Sequence, residues 1–329
     1  MADNKQWKSV VLEHQIKEFR NITNTSSDTA KFFLEKSGFV LQEALHDYFE
    51  NGESSIKCED RQSEMASAHP SPERTNKFTL LTWNIDGLDE EDLYLRTLSI
   101  SEKINTLEPD VVFLQEVVDK TLEILKKKCK RYQIHHHAIA KYYCAIMIKD
   151  KKTTEFVFKD ILPYPTTRMG RYLLQIDILY ETKPLTLLTT HLESTKPSKH
   201  ERIRQLEFCF RQMTNIGENA AVILGGDLNL RDEELKEIGG IPDGISDAWI
   251  LSGSDPLRKF TWDMTQNDNK EFNGKWKPKC RFDRIYYRAS CDGNLKISKF
   301  EFVGKERLGS CDRFPSDHWG ILSEFSIDG

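Results

Sequence analysis

Apolar positions recur at helical spacing near the start of the chain. Val11, Leu12, Ile16, Phe19 and Ile22 form one such stripe. Ser26–Asp28 then offers capping side chains ahead of a second apolar set in TAKFFLEK, which Gly38 ends. A third set follows at Leu41, Leu45, Tyr48 and Phe49, closed by Asn51 and Gly52. This pattern predicts a small three-helix bundle over 8–50. Residues 51–76 are rich in Ser, Glu, Asp and Pro with scattered apolar residues, and read as a flexible linker.

From Phe78 the pattern changes to short apolar runs of strand length. FTLLTWNI, DVVFLQEV, YCAIMIK, YLLQIDILY, LTLLTTHLE, AVILGGDLN, FDRIYYR and HWGILSEFSI read as buried strands. Helical stretches fall between some of them, at 96–107, 119–130, 198–216 and 232–238. Hairpin-like and crossover connections are mixed. That predicts an α/β domain over 77–329, with packed sheets and helices outside them.

Composition bounds the chemistry. The 329 residues suffice for one domain of about 250 residues plus a small module. Hydrophobic content of 38% and charged content of 30% suit a soluble globular protein, and no apolar run is long enough to cross a membrane. The first ten residues lack the basic-then-apolar order of a secretory signal. Seven cysteines stand without a C-x-x-C pair, so neither a zinc site nor a disulfide framework is indicated, and a reducing compartment is the simplest reading. Net charge is −5, but the first 76 residues carry nine basic and thirteen acidic side chains. The remainder is therefore near neutral, able to grip a short nucleic-acid end but not to coat long duplex.

Polar residues sit where the apolar strands end. Asn84 and Asp86 follow the first run and Glu116 the second. His191 and Glu193 follow LTLLTT, while Asp227 and Asn229 follow AVILGG. Asp283 lies in CRFDRIYY, and Asp317 and His318 precede the last run. One strand-end Asp is ordinarily turn chemistry. Six such strand ends need a common reason, because an unpaired buried charge costs several kcal/mol. A divalent cation with a phosphate ligand supplies one, and hard oxygen donors without cysteine favour Mg²⁺ or Mn²⁺. The run His135–His137 reads as an ordinary strand, since alternation splits it between two faces. Lys199, Arg202, Arg204 and Arg211 read as a solvated helix face, and the alternating Lys275, Lys277, Lys279 and Arg281 as a solvated loop.

These motifs resemble the exonuclease–endonuclease–phosphatase superfamily. The carrying residues are TWN at Thr82–Asn84, LQE at Leu114–Glu116, HLES at His191–Ser194, GDLN at Gly226–Asn229, FDRI at Phe282–Ile285 and SDH at Ser316–His318. They occur in the family's order. The longer strings TWNIDGL, HLEST, GDLNLRD and RFPSDHWG are similar to its branch of 5′-tyrosyl-DNA phosphodiesterases. The resemblance implies a four-layer sandwich of two packed β-sheets flanked by helices. It implies hydrolysis of the bond between a topoisomerase tyrosine and a DNA 5′ end, leaving a 5′-phosphate. A phenol of pKa about 10 is a good leaving group for such a step.

Roles follow by position. Glu116 is the first choice as metal ligand, joined by Asp86 and Asp317, with Mg²⁺ as cofactor and Mn²⁺ as its substitute. Asp227 would orient and deprotonate water, with Asn229 beside it. His191 and His318 would face the phosphate, with Asp283 orienting His318. Asn84, Gly87, Leu88, Tyr142, Glu193, Ser194, Thr195, Lys196, Arg231, Trp262 and Phe282 are the substrate-side candidates, where aromatics stack bases and cations meet phosphate. On periodicity alone Phe282 and Trp262 also suit core packing.

Two other readings stand open. One keeps the superfamily but changes the substrate, to an abasic site, an RNA poly(A) end or an inositol phosphate. The P-x-W-C residues of the phosphatases are replaced by KPKC ahead of FDRI. The other is a ubiquitin-binding signalling scaffold. Residues 8–50 resemble a ubiquitin-associated domain on the string Phe32–Gly52, although the loop after the first helix lacks the usual Met-Gly-aromatic pattern. The expected partners are DNA with 5′-tyrosyl adducts and ubiquitin or ubiquitylated proteins, with no membrane. The protein is expected to act as a monomer in the nucleus and also in the cytoplasm.

Overall fold

A computed structural model describes residues 76–328 except 139, 272, 273, 275 and 292. In the N-terminal region it describes 15–20, 22, 23, 25, 27–37, 44 and 48. The chain divides into two compact units, Met1–Ser71 and Pro72–Gly329, and each stands by itself below.

In the first unit, 15–20 and Ser27–Lys36 are helical, as are Ala44 and Tyr48. Phe19, Ala30, Leu34 and Ala44 form its core, with Ile16, Phe33 and Tyr48 against it. The Phe19 ring stacks on Phe33 at 5.9 Å and meets Tyr48 edge-on at 5.5 Å. All three predicted helical segments thus contribute to one core. Most of the third segment, the start of the first and the expected linker 51–75 lie outside the described residues.

The second unit holds two six-stranded sheets. The first contains β1 (Asn76–Asn84), β2 (Val111–Val117), β3 (Tyr132–His136), β4 (Tyr143–Lys149), β13 (Asn294–Val303) and β14 (Gly320–Asp328), in the order β13-β14-β1-β2-β4-β3. The second contains β5 (Thr154–Pro163), β6 (Tyr172–Tyr180), β7 (Lys183–His191), β8 (Ala221–Asp227), β9 (Ser246–Asp247) and β12 (Asp283–Arg288), in the order β5-β6-β7-β8-β12-β9. Each sheet is antiparallel except for one central parallel pair: β1 with β2, and β7 with β8. Parallel neighbours need a crossover, and helices Leu93–Leu107 and Lys199–Asn215 supply it. A short hairpin, β10 (Trp262–Asp263) with β11 (Lys279–Cys280), stands outside both sheets.

Central strands are buried on both faces, which is why their sequences read as continuous apolar runs. In β8, Val222 and Leu224 face helix Lys199–Asn215, which brings Leu206, Cys209, Phe210 and Met213. Ile223 belongs instead to the core that the two sheets share with Phe113, Ile176, Leu187 and Ile285. Helices Leu93–Leu107 and Asp119–Lys128 add Ile100, Ile104, Leu122 and Leu125 to that core. Each fully buried side chain of this size contributes roughly 1.5–3 kcal/mol. The result is helix, sheet, sheet, helix.

One polar link joins the sheets beneath the motif residues. Gln115 of β2 donates to Thr189 Oγ1 of β7 at 3.1 Å, and Thr189 donates to the Gly225 carbonyl of β8 at 2.8 Å. The two glycines of β8 are needed here. A Cβ on Gly225 would press within 3.1 Å of the Phe113 ring, and one on Gly226 (φ +148°) would run into the Thr190 carbonyl.

Eight strands form at the predicted runs, within two residues at each end. β5 and β13 were not among the expectations, and β3 showed only through its histidines. All three are edge strands. An edge strand carries charge and covers one face only, so its apolar run is broken, as in TEFVFKDILP and NLKISKFEFV.

Candidate active site

The parallel pairs set the site. Both carry their C-terminal ends to one rim, where Asn84 at the end of β1 donates to Asp227 Oδ2 at the end of β8, at 2.9 Å. His191 pairs in register with Asp227 across β7 and β8. The antiparallel neighbours start at the same rim. Asp283 opens β12 opposite Asp227, and His318 lies two residues before β14. Six motifs separated by up to 234 residues therefore meet on one edge.

Asp227 is the hub. Its Oδ1 accepts from the Asn229 backbone N–H at 2.9 Å, and Oδ2 lies 3.3 Å from His191 Nε2 and 3.9 Å from His318 Nε2. Asn229 donates through its side chain to the Leu192 carbonyl at 3.3 Å. His318 Nδ1 meets Asp283 Oδ2 at 2.8 Å, the partnership that the family resemblance implies. Its backbone is fixed as well: its N–H donates to Ser316 Oγ, which donates to the Asn84 carbonyl.

The two histidines differ in charge. Burial, helped by the Arg171 cation, presses His191 down to about 3, so it is neutral at pH 7 and offers a hydrogen bond without charge. Burial opposes protonation of His318 too, but the carboxylates of Asp283, Asp317 and Asp227 outweigh it and hold His318 well above the usual imidazole range. His318 is an imidazolium, suited to meet negative charge building on a phosphate.

Three functional positions share a strained backbone. Asp86, Glu116 and Asn229 have φ of 50°, 56° and 48°. This left-handed conformation costs roughly 1–3 kcal/mol in non-glycine residues and is kept where surroundings enforce it. At Glu116 it coincides with a register shift between Leu114 and Val117 that breaks the β2–β4 ladder. The Glu116 carbonyl leaves no room for a side chain at Gly87, which accounts for that glycine.

Glu116, Asp86, Asp317 and Asp227 face one another closely enough to repel. Burial, then Asp317 and Asp86, push the Glu116 carboxyl up to about 7. Burial and Asp317 push Asp86 up to about 6 against the pull of Lys270 and Arg96. The Glu116 carboxylate forms no hydrogen bond or ion pair among the described residues. A divalent cation fits that unmet demand, since all the donors are hard oxygens. Ligand atoms of Asp227, Asp283 and His318 lie within 4.8 Å of one another and form a second acidic group. Its members already bond Asn84, Asn229 and each other, with Asp283 Oδ1 alone left without a hydrogen bond, whereas the first group leaves both the Glu116 carboxylate and Asp86 Oδ2 without one among the described residues.

The substrate-side candidates divide. Trp262 and Phe282 pair their rings at 5.5 Å, and the Phe282 ring lies 6.3 Å from that of His318. The Arg231 guanidinium covers Phe282 at 5.3 Å. Trp262 Nε1–H donates to Asp317 Oδ2 at 3.2 Å. The Tyr142 ring lies 6.0 Å from the His191 ring, and the Arg171 guanidinium covers the Tyr142 ring at 4.8 Å. These five aromatic and basic groups form a wall beside the hub. Glu193 is buried, and its Oε1 accepts from Thr167 Oγ1 and the Arg168 and Met169 N–H groups at 2.7–3.0 Å. Glu193 thus holds a loop. Ser194 Oγ reaches Met169 Sδ at 3.2 Å. Thr195 (φ 71°), Lys196 and Leu88 are exposed and form no side-chain bond to the hub among the described residues.

Several supports were not visible as motifs. Arg202, expected on a solvated face, is fully buried. It bonds Glu234 at 2.6 and 2.9 Å and the carbonyls of Glu193 and Thr195 at 2.7 and 2.9 Å. Arg281, expected in a solvated loop, is buried and ion-paired with Asp247. Lys270 bridges Asp86 and Asp89. Single basic residues carry no spacing signal, so nothing short of the fold could find them. His135 stacks on Phe156 at 4.7 Å and His136 on Tyr143 at 5.2 Å, as strand residues.

Two sheets carrying a carboxylate–imidazole centre at one rim, beside an acidic cluster that could hold a cation, are the arrangement of a phosphoester hydrolase. Comparison with known proteins agrees. Residues 81–318 match the profile of the Endonuclease/Exonuclease/phosphatase family, and residues 13–55 that of a UBA-like domain. Tyrosyl-DNA phosphodiesterase 2 of Xenopus laevis is 36% identical over 349 residues, spanning 95% of this chain and 93% of the relative. The Homo sapiens protein of that name is 34% identical, spanning 94% and 91%. The crystal structure of D. rerio TDP2 complexed with single strand DNA product superposes with a TM-score of 0.73 at 36% identity, over 76% of this chain and 98% of that one. TDP2 from C. elegans gives 0.70 at 34% identity, over 96% and 93%. The chain belongs to the Endonuclease/Exonuclease/phosphatase family, in its tyrosyl-DNA phosphodiesterase 2 branch.

The raised carboxyls make stability depend on pH in a defined sense. Unfolded, Glu116 and Asp86 lose their protons near pH 4, but folded they hold them to about 7 and 6. Over that window the folded state binds more protons, so metal-free stability falls as pH rises. A bound cation removes the repulsion. Thermal unfolding should show Mg²⁺ raising Tm by several degrees over EDTA at pH 8 and by little at pH 5. Equal shifts at both values would contradict the assignment.

Proposed function

We propose that the protein hydrolyses the phosphodiester that joins a topoisomerase tyrosine to a DNA 5′ end, leaving a 5′-phosphate and a free tyrosyl peptide. The observation that supports it is the Asp227 hub, with Asn84, Asn229 and His191 around it and the Asp283–His318 pair beside it, in a chain that matches relatives of this name over most of its length.

Asp227 orients a water molecule and takes its proton as the water oxygen bonds to phosphorus. Asn84 and Asn229 hold the carboxylate in place for that step. The cationic His318 and neutral His191 donate to non-bridging phosphate oxygens, and Asp283 keeps His318 charged and aimed. The bond from phosphorus to the tyrosine oxygen breaks. A phenolate leaves and takes a proton from solvent, which its pKa of about 10 permits without a strong general acid. Glu116, with Asp86 and Asp317, would hold Mg²⁺, or Mn²⁺ in its place, and the ion would neutralise phosphate charge. Tyr142, Trp262, Phe282 and Arg231 line the approach of the DNA end, where rings stack on bases and sugar. That substrate places the enzyme's work in the nucleus.

The N-terminal unit is proposed to bind ubiquitin. Its UBA-like match and the exposed Phe32 and Ile22 beside its core support this. Titration of the full chain into ¹⁵N-labelled ubiquitin should shift a contiguous patch of resonances. A spectrum unchanged at millimolar protein would remove the claim.

The reaction is tested with a 5′-tyrosyl oligonucleotide. Tyrosine release should require Mg²⁺, stop with EDTA, and fall at least about a thousandfold in Asp227→Asn. Release that survives either change would count against the mechanism.

A further inference from the structure

One cation at the rim has no place in the mechanism above. Lys270 Nζ lies 2.9 Å from both Asp86 oxygens and 2.8 Å from Asp89 Oδ2. Asp86 is a member of the repelling acidic group, and its side chain is only 5% exposed. An ammonium there does part of what a metal ion does: it offsets charge at Asp86 and uses the oxygens a cation would share.

Lys270 is held in position by the polar contacts of the residues just before it. Asn267 donates to the Ser316 carbonyl at 2.9 Å. Asn269 donates to the Phe314 carbonyl and accepts from the Phe314 N–H at 2.9 and 3.0 Å. These bonds lash the segment carrying Lys270 to the one that delivers Asp317 and His318. Asp89 is shared with Arg313, at 2.8 Å, and so stays anchored to a cation without Lys270. Arg96 also lies near Asp86, 3.8 Å from Oδ2. Its guanidinium, however, is committed to the carbonyls of Ile85, Asp86, Asp89 and Pro315. Of Lys270, Arg313 and Arg96, Lys270 is the one whose bonds among the described residues run to carboxylates alone.

We propose that Lys270 is a tethered counter-ion that competes with the divalent cation for Asp86 and so sets how tightly the site holds the metal. This rests on the reading of Glu116, Asp86 and Asp317 as the metal site. A unit positive charge a few ångströms from a doubly charged ion repels it, and a carboxylate oxygen bonded to an ammonium is a poorer ligand. The ammonium offsets charge at Asp86 between metal-binding events, at the expense of affinity for the ion.

The test is isothermal titration of the full-length, DNA-free protein with Mg²⁺ at pH 8. Lys270→Met should bind Mg²⁺ about tenfold tighter than the natural protein. Lys270→Arg, which keeps the charge, should stay within about threefold of it. Lys270→Gln serves as the neutral variant if circular dichroism shows that Lys270→Met does not fold. Affinity unchanged or weakened in the neutral variant would overturn the proposal, as would Lys270→Arg binding as tightly as Lys270→Met. If the natural protein and all variants bind no Mg²⁺, the metal reading itself fails. That outcome is distinct from a natural protein that binds Mg²⁺ without responding to Lys270.

Discussion

Mutual repulsion among buried carboxylates is the constraint from which the rest of the structure follows. Asp317, Asp86 and Asp227 come close enough to Glu116 to push its carboxyl up, and Asp317 does the same to Asp86, on a rim largely shielded from water. Left alone, such a cluster would protonate or push its strands apart. The fold prevents the second outcome by clamping the strands that carry it. Gln115 ties β2 to β7, Thr189 ties β7 to β8, and Asn84 ties β1 to β8. Apolar packing between Phe113 and the Gly225 backbone closes the gap under them. The negative charge is therefore held rather than relieved, and that makes it available for a cation and a phosphate.

The topology explains how so many distant residues reach one edge. A parallel pair ends both strands at the same rim, and an antiparallel neighbour starts where its partner ends. Each sheet has one parallel pair with an antiparallel strand on either side, so each delivers two strand ends and two strand starts. The price in backbone strain is concentrated at Asp86, Glu116 and Asn229, all in the left-handed region. Side chains that look redundant in sequence then take separate duties. His191 is kept neutral and His318 charged by what surrounds each ring, although both lie near the same aspartate oxygen.

Legibility in the sequence followed burial. Central strands showed as apolar runs because both faces are covered. Edge strands β5 and β13 did not, since solvent admits charge into their pattern. The hub residues were legible because polar groups at the ends of apolar runs are costly without a purpose. Asp283 as the partner of His318 was implied by the family resemblance, and the two lie 2.8 Å apart. Residues that support the centre from outside the motifs were not legible. Arg202 sits in a helix whose other basic residues face outward, and only the meeting of that helix with Glu234 reveals it as buried. Lys270 falls in a loop of mixed polar residues, and its bearing on Asp86, 184 positions away, exists only in the folded chain. Glu193 lay in a strong motif, yet its carboxylate is spent on the backbone of 168–169.

Locating the cation decides the matter most directly. Crystals grown with Mn²⁺ and a 5′-phosphorylated oligonucleotide, examined by anomalous scattering, would place the ion without reference to turnover. The account predicts a peak bonded to the Glu116 carboxylate at about 2.1 Å, with the terminal phosphate between that ion and the ring of His318. A peak seated among Asp227, Asp283 and His318 instead, or no peak anywhere on the rim, would contradict it.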